Sequence, residues 1–304
     1  MASILNFVRR QAAPAQPEHD LAGLLAGFSI EVMPRTAAKV EDFRALLPQG
    51  TRVYVAHIDG ATDEAEMAAT IRRLADEGFE PMPHVPARGV ESRAALDRRL
   101  ALYADAGATG ALAIAGGIDV ARGPYAETMA MLETGLFDAR GFRRIHVAGH
   151  PEGNADIPGG EATAMAALRA KAGFAAETDA AMAIVTQFVF EAAPVIAWAG
   201  RLREAGIGLP VHVGVAGPAK LQTLIKFAMA CGVGPSLRVL QRRAADLTKL
   251  VAPFEPTEVL AALATEKAAN PEFQVEAAHV FPLGGIAPAA GYATSASVPR
   301  RARA

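Results

Sequence analysis

Residues 52–85 decide the fold. They read RVYVAHI at 52–58, ATDEAEMAATIRRLADE at 61–77 and EPMPHV at 80–85. The outer pieces are short, apolar and partly β-branched, as buried strands are. The middle piece repeats Met67, Ile71 and Leu74 at three-to-four spacing, with charged residues between them, as an amphipathic helix does. A strand, a helix and a second strand follow one another with short turns between them.

The same alternation extends in both directions. Further strands are expected at Phe28–Met33, Ala111–Ala115, Arg144–Gly149, Ala183–Phe190, Pro210–Val215 and Ala278–Leu283. Helices are expected at Ser92–Ala106, Tyr125–Thr134, Glu161–Ala175, Ala192–Glu204, Ala219–Ala230, Leu237–Leu250 and Pro256–Ala269. Eight strands in 304 residues give about 38 residues per unit, which suits an α/β protein of the (β/α)8 TIM-barrel type with extra loops. A doubly wound open sheet shares the alternation, but no strand here leads into a Gly-x-Gly-x-x-Gly turn. Gly116-Gly117 and Gly159-Gly160 are isolated pairs. The expected organisation is an N-terminal extension over 1–24, one barrel over 25–286 and a mobile tail over 287–304 that carries Arg300, Arg301 and Arg303.

Composition narrows the function. The chain has 30 Lys+Arg against 32 Asp+Glu, a formal net charge of −2, so no net basic field exists to hold nucleic acid. A single cysteine, Cys231, excludes an intramolecular disulfide framework and a thiolate zinc cage, and it reads as a small hydrophobe at a helix end. No apolar run reaches the roughly 18 residues that span a bilayer. Arg9 and Arg10 follow a short apolar stretch, the wrong order for a signal peptide. A cytoplasmic protein without membrane or nucleic-acid partners is expected.

In a barrel, the C-terminal ends of the strands converge on the active site. Those ends offer Glu31, His57, Asp59, His84, Arg88, Asp119, His150, Glu152 and Gln187. His146 and His212 read instead as core residues. Glu31 stands out, because an ionised carboxylate inside Phe-Ser-Ile-Glu-Val-Met is costly to bury. Either it sits at an exposed strand end, or burial raises its pKa so that it donates a proton near neutrality. Metal ligation by His57, His84, His150 and Asp119 is the rival, although no close-spaced ligand pair supports it and no metal is expected. Pro158-Gly159-Gly160-Glu161 opens a helix whose free N–H groups can hold a phosphate.

Several of these segments together resemble the methylenetetrahydrofolate reductase family over about Gly27 to Gly284. They are Ser29-Ile-Glu-Val-Met-Pro34, Pro83-His84, Val147-Ala-Gly-His-Pro-Glu-Gly153, Ile184-Val-Thr-Gln-Phe-Val-Phe190 and His279-Val-Phe-Pro-Leu283. The resemblance implies a (β/α)8 barrel that reduces 5,10-methylenetetrahydrofolate to 5-methyltetrahydrofolate with NADH or NADPH, through FAD that is expected to be weakly held and lost on purification, or runs that chemistry oxidatively. It implies Glu31 as the acid toward N10 and Asp119 as a carboxylate near pterin and flavin. Gln187, Leu221 and Leu283 become folate contacts. His57, His84, Arg88, Gly117, Asp119, His150 and Lys171 become cofactor contacts. The chain departs from the family after strand four, where Arg-Gly-Asp is replaced by Gly116-Gly-Ile-Asp119, and at His150, where the family has Tyr. A homo-oligomer, dimer or tetramer, is compatible with this reading. Two other classes stay open: a folate-binding methyl-transfer module without redox activity, and a metal-dependent barrel hydrolase.

Overall fold

The computed structural model describes residues 21–154, 157–230, 238–241 and 253–298. Cys231, all but residues 238–241 of the expected helix Leu237–Leu250, the first 20 residues and the arginines at 300, 301 and 303 lie outside the described residues.

Eight parallel strands close into a barrel in sequence order. They are β1 (Ser29–Val32), β2 (Arg52–Val55), β3 (Glu80–Pro86), β4 (Gly110–Ile114), β5 (Arg144–Gly149), β6 (Ala181–Val189), β7 (Val211–Ala216) and β8 (Val275–Phe281). The ring closes where Ser29 and Ile30 of β1 pair with His279 and Val280 of β8. The described helices are α1 (Ala22–Leu25), α2 (Pro34–Ala37), α3 (Glu64–Asp76), α4 (Arg93–Asp105), α5 (Thr128–Leu132), α6 (Leu136–Ala139), α7 (Gly160–Phe174), α8 (Ala192–Glu204), α9 (Leu221–Ala230), α10 (Thr257–Ala269) and α11 (Ile286–Ser297).

Local chemistry explains where the helices begin. The Asp63 carboxylate accepts hydrogen bonds from the Ala65 and Glu66 N–H groups and starts α3. Ser92 does the same for α4 through the Ala95 N–H. Met67, Ile71 and Leu74 of α3 are buried in the layer between strands and helices, beside Val53 and Val55 of β2. Each such side chain contributes about 1.5–3 kcal/mol of apolar burial.

Alternate strand residues point the other way, into the barrel. There Tyr54, Met82, Leu112 and Val185 form a separate apolar cluster. Ser29, His146, His212 and His279 share this interior and are all buried. Branched aliphatic residues usually fill such a core. A further cluster, including Phe188, Phe190, Leu221, Leu224 and Phe254, caps the C-terminal ends of β6 and β7.

Three expectations change. The stretch from 287 to 297 is no tail: it belongs to α11, whose Ala289, Ala290 and Ala293 are small enough to pack flush and are fully buried. On the N-terminal side, Ala22, Leu24 and Leu25 of α1 are buried, so the packed domain begins before residue 25. The expected helix Tyr125–Thr134 is shorter, α5, and the glycine at 135 then turns the chain into α6. Among the described residues no helix is long and apolar enough to cross a membrane.

Candidate functional site at the barrel mouth

A cavity of about 690 Å³ opens at the C-terminal ends of the strands, apolar over most of its lining. Glu31 from β1, His84 from β3 and His279 from β8 form its floor, and Gln187 from β6 stands on its wall. The period-two alternation that sends Ile30 and Val32 outward turns Glu31 inward.

Glu31 Oε2 lies 3.2 Å from His84 Nε2 and 3.8 Å from His279 Nε2. Burial alone would raise the pKa of this carboxyl. The charge of His84 and the polar contacts of His279 and His84 outweigh burial and pull the pKa down to about 2. This corrects the expectation of a glutamic acid with a raised pKa: without ligand, Glu31 is a carboxylate braced by two imidazoles. His279 moves the opposite way to a usual paired histidine, because complete burial pushes its pKa down more than Glu31 pushes it up.

Gln187 owes its place to an irregularity. The pairing of β6 with β7 shifts register between Val185 and Phe188, and such bulges re-aim side chains beside sites. Thr186 Oγ1 donates to the Gln187 carbonyl and accepts from the Gly214 N–H. Gln187 Oε1 accepts the Phe188 N–H at 3.0 Å. The amide is therefore half committed, and its NH₂ group is the part left to donate to a ligand.

Of the remaining expected contacts, Arg88, Gly117, His150 and Lys171 line the same cavity. Burial lowers the Lys171 pKa against the opposing charge of Glu127. Gly160, at the start of α7, is also on the lining. Four expected residues are elsewhere. Asp119 is exposed and off the lining, because Gly116 turns the chain outward at a φ of +95° before the aspartate is reached. His57 lies past the end of β2, 3.8 Å from Asp59. Leu221 is buried in the apolar cap and Leu283 packs against it, behind Phe281, which faces the cavity. His146 and His212 are core residues as expected, but the partner of His146 is the Tyr54 hydroxyl.

The sequence reading missed His279, Glu127, Trp198 and Phe281 on the lining. For His279 and Phe281 a signal existed: alternation along an expected strand puts both on one face. Trp198 comes from the inner face of α8, and nothing local marks it.

FAD, which the resemblance implies, fits this lining poorly. Both Arg88 guanidinium contacts are to protein carbonyls, Ala126 at 3.0 Å and Ile118 at 3.2 Å. Two carboxylates, Glu127 and Glu161, face the same cavity against the single amine of Lys171, where a pyrophosphate needs positive charge, although Glu161 is paired with Arg201. Among the described residues no group of three or more His, Cys, Asp or Glu side chains is arranged to hold a metal ion.

The fold and site define a (β/α)8 barrel with a carboxylate–imidazole floor. No family model matches the chain. It is similar in fold to an uncharacterized protein from Clostridium thermocellum described as binding two copies of 5-methyl-5,6,7,8-tetrahydrofolic acid. That likeness has a TM-score of 0.56 and 10% identity, over 89% of this chain and 91% of the other. A dihydropteroate synthase from Thermus thermophilus, in complex with 6HMPPP, aligns with a TM-score of 0.47 and 17% identity, over 91% and 95%. The first likeness is one of fold, and the second adds nothing to it.

Proposed function

We propose that this barrel binds a reduced folate in the C-terminal cavity and interconverts 5,10-methylene- and 5-methyltetrahydrofolate, exchanging a hydride with NADH or NADPH. The observation that carries the reading is the Glu31 carboxyl on the cavity floor, flanked by two imidazoles and sharing one lining with the Gln187 amide. A cavity of about 690 Å³, open at the mouth of the barrel, lies within the size range of small-molecule sites. Its apolar walls suit a pterin ring, and its few polar groups suit the ring edge. That a barrel of the same fold is described as binding 5-methyltetrahydrofolic acid agrees with this choice.

On this reading Gln187 donates from its NH₂ group to the pterin edge and fixes the ring. A proton held on the Glu31 carboxyl passes to N10 and opens the five-membered ring to an iminium. The nicotinamide hydride then adds to the exocyclic carbon. One proton and one hydride are consumed, and 5-methyltetrahydrofolate and the oxidised nicotinamide result. Because Glu31 rests as a carboxylate, it must be loaded before each turnover, and the adjacent imidazoles are the groups placed to load it.

The chain has one tryptophan, Trp198, and it lines the cavity, which supplies a direct probe. Titration with 5-methyltetrahydrofolate should change its emission saturably. NADH should be oxidised in the presence of methylenetetrahydrofolate, with no requirement for added FAD. Saturable binding without NADH oxidation would favour the methyl-transfer module, and absence of both would end the folate reading.

A further inference from the structure

A second cavity, of about 510 Å³, opens at the N-terminal ends of the strands, the opposite end of the barrel from Glu31. Two arginines line it: Arg52, the first residue of β2, and Arg144, the first residue of β5. Strand alternation fixes their direction. Tyr54 and His146, two residues further along each strand, are interior side chains, so Arg52 and Arg144 turn inward as well. Strands β2 and β5 are three places apart in the ring of eight, so the two guanidiniums enter from different sides. Both residues are half-buried. Arg52 donates one hydrogen bond, to the Gly27 carbonyl at 2.9 Å. Among the described residues the Arg144 guanidinium has no hydrogen bond and no ion pair.

Barrel stability does not call for this arrangement. Such cores are normally filled by branched aliphatic side chains, whereas here Ala181 and Ala183 of β6 leave the space open. Two cations aimed into one cavity repel each other, and a guanidinium withdrawn from water is costly without an anion beside it. The lining does hold two carboxylates, Glu80 of β3 and Glu276 of β8, but both residues are exposed. Glu80 is the register partner of Arg52, yet the two form no ion pair. Glu276 turns instead toward His212, 3.6 Å away. Burial first, and then the surrounding positive charges, Arg52 and Arg144 among them, keep His146 and His212 neutral on the inner wall.

We propose that the N-terminal cavity binds a dianionic phosphoryl group, as free phosphate or on a small hydroxylated ester of the sugar-phosphate kind, with Arg52 and Arg144 as its ligands. The guanidinium fork matches a pair of phosphate oxygens, and charge-assisted hydrogen bonds of this type are the strong ones. Arg144 offers its whole fork, and Arg52 offers what Gly27 leaves free. The cavity is larger than one phosphate. Glu80 and Glu276 on its lining can accept hydrogen bonds from hydroxyl groups, which suits the ester. This cavity shares no lining residue with the C-terminal one, so the site stands apart from the folate reading.

The test is calorimetric titration of the full-length protein with inorganic phosphate, glycerol 3-phosphate and ribose 5-phosphate, at an ionic strength held constant with chloride. Saturable binding is expected, and Arg144→Met should weaken it about ten- to a hundredfold, the worth of one charge-assisted hydrogen bond. An ester that binds more tightly than phosphate supports the site and assigns it to the ester; equal binding supports it and assigns it to free phosphate. No binding of any of the three would overturn the proposal, as would equal binding by Arg144→Met. Two readouts separate a ligand arginine from a structural one. On saturation the His212 ring signals in ¹⁵N NMR should move while Trp198 emission, at the other end of the barrel, stays constant; the reverse would place the anion in the wrong cavity. Without ligand, Arg144→Met should melt no lower than wild type, because it removes an unpaired charge. With ligand, only the wild type should rise. A variant that melts several degrees lower or fails to fold would make Arg144 part of the fold and overturn its assignment.

Discussion

The carboxylate of Glu31 and the imidazole of His84 meet at 3.2 Å, joining β1 to β3 across the barrel mouth although β2 runs between them. The contact links side chains that backbone pairing does not link, and it fixes the charge on the cavity floor. Several expected outcomes depend on it.

Glu31→Gln keeps the shape of the side chain and removes its proton. Turnover of methylenetetrahydrofolate should fall by about 10² to 10⁴-fold, the usual worth of general acid catalysis. The dissociation constant for 5-methyltetrahydrofolate, read from Trp198 fluorescence, should change only a few-fold. A near-normal rate would leave Glu31 a structural partner of His84.

The same pair gives a stability signature. The folded pKa of Glu31 is about 2, below its ordinary 4.5, so its stabilisation is present above about 4.5 and is lost as pH falls toward 2. The melting temperatures of wild type and Glu31→Gln should differ at neutral pH and converge across that window.

Buried histidines act over a higher range. Burial first, and then the charge of Arg52, push the His212 pKa down from 6.5 to about 3, despite the exposed Glu276 carboxylate 3.6 Å away. A group that must stay neutral in the fold stabilises it fully above 6.5 and costs stability as pH falls from there. At pH 5 the loss is about 2 kcal/mol for one such histidine, at about 1.4 kcal/mol per unit. Urea unfolding at pH 7 and pH 5 should show it, and His212→Asn should shrink the difference by about that amount.

Gln187→Ala removes a contact made before the transition state as well as in it. KM should rise and kcat/KM should fall about tenfold, the equivalent of one hydrogen bond of roughly 1.4 kcal/mol. An unchanged KM would mean that the amide serves only its bond to the Phe188 N–H.

Gly214→Ala tests the bulge that aims Gln187. A Cβ there would lie 2.4 Å from the Thr186 carbonyl oxygen and 2.7 Å from that of Gln187. Backbone atoms in a closed barrel cannot move aside cheaply, so the variant should lose about 1–3 kcal/mol on chemical denaturation. It should weaken folate binding as well, through Gln187.

Much of the barrel was legible because its signals are local. Strand β5 and helix α8 match their expected limits, the other strands and helices α3, α4, α5, α7, α9 and α10 differ by a few residues at their ends, and α1, α2, α6 and α11 were not expected. Glu31, His84, His150 and Gln187 were read from strand ends and Lys171 from the family resemblance, and the structure brings all five to one cavity. Asp119 was misplaced because four residues separate it from the end of β4, and the path of that loop depends on Gly116 rather than on strand geometry. Leu221 and Leu283 were misplaced because an apolar residue gives no sign of whether it will face a ligand or an aromatic cluster.

What the sequence determined by itself was the alternation of strand and helix periods, and with it the closed parallel barrel. Each period is set by residues within a turn or two of one another. The state of the site was decided only in three dimensions. Ser29 and His279 are 250 positions apart, yet they share a hydrogen bond where β1 closes against β8. A buried carboxyl with no neighbours is a weak acid, and the same carboxyl between imidazoles from β3 and β8 is a strong one. Charge acts through space, so the protonation of Glu31 is fixed by which strands the closed ring places beside it.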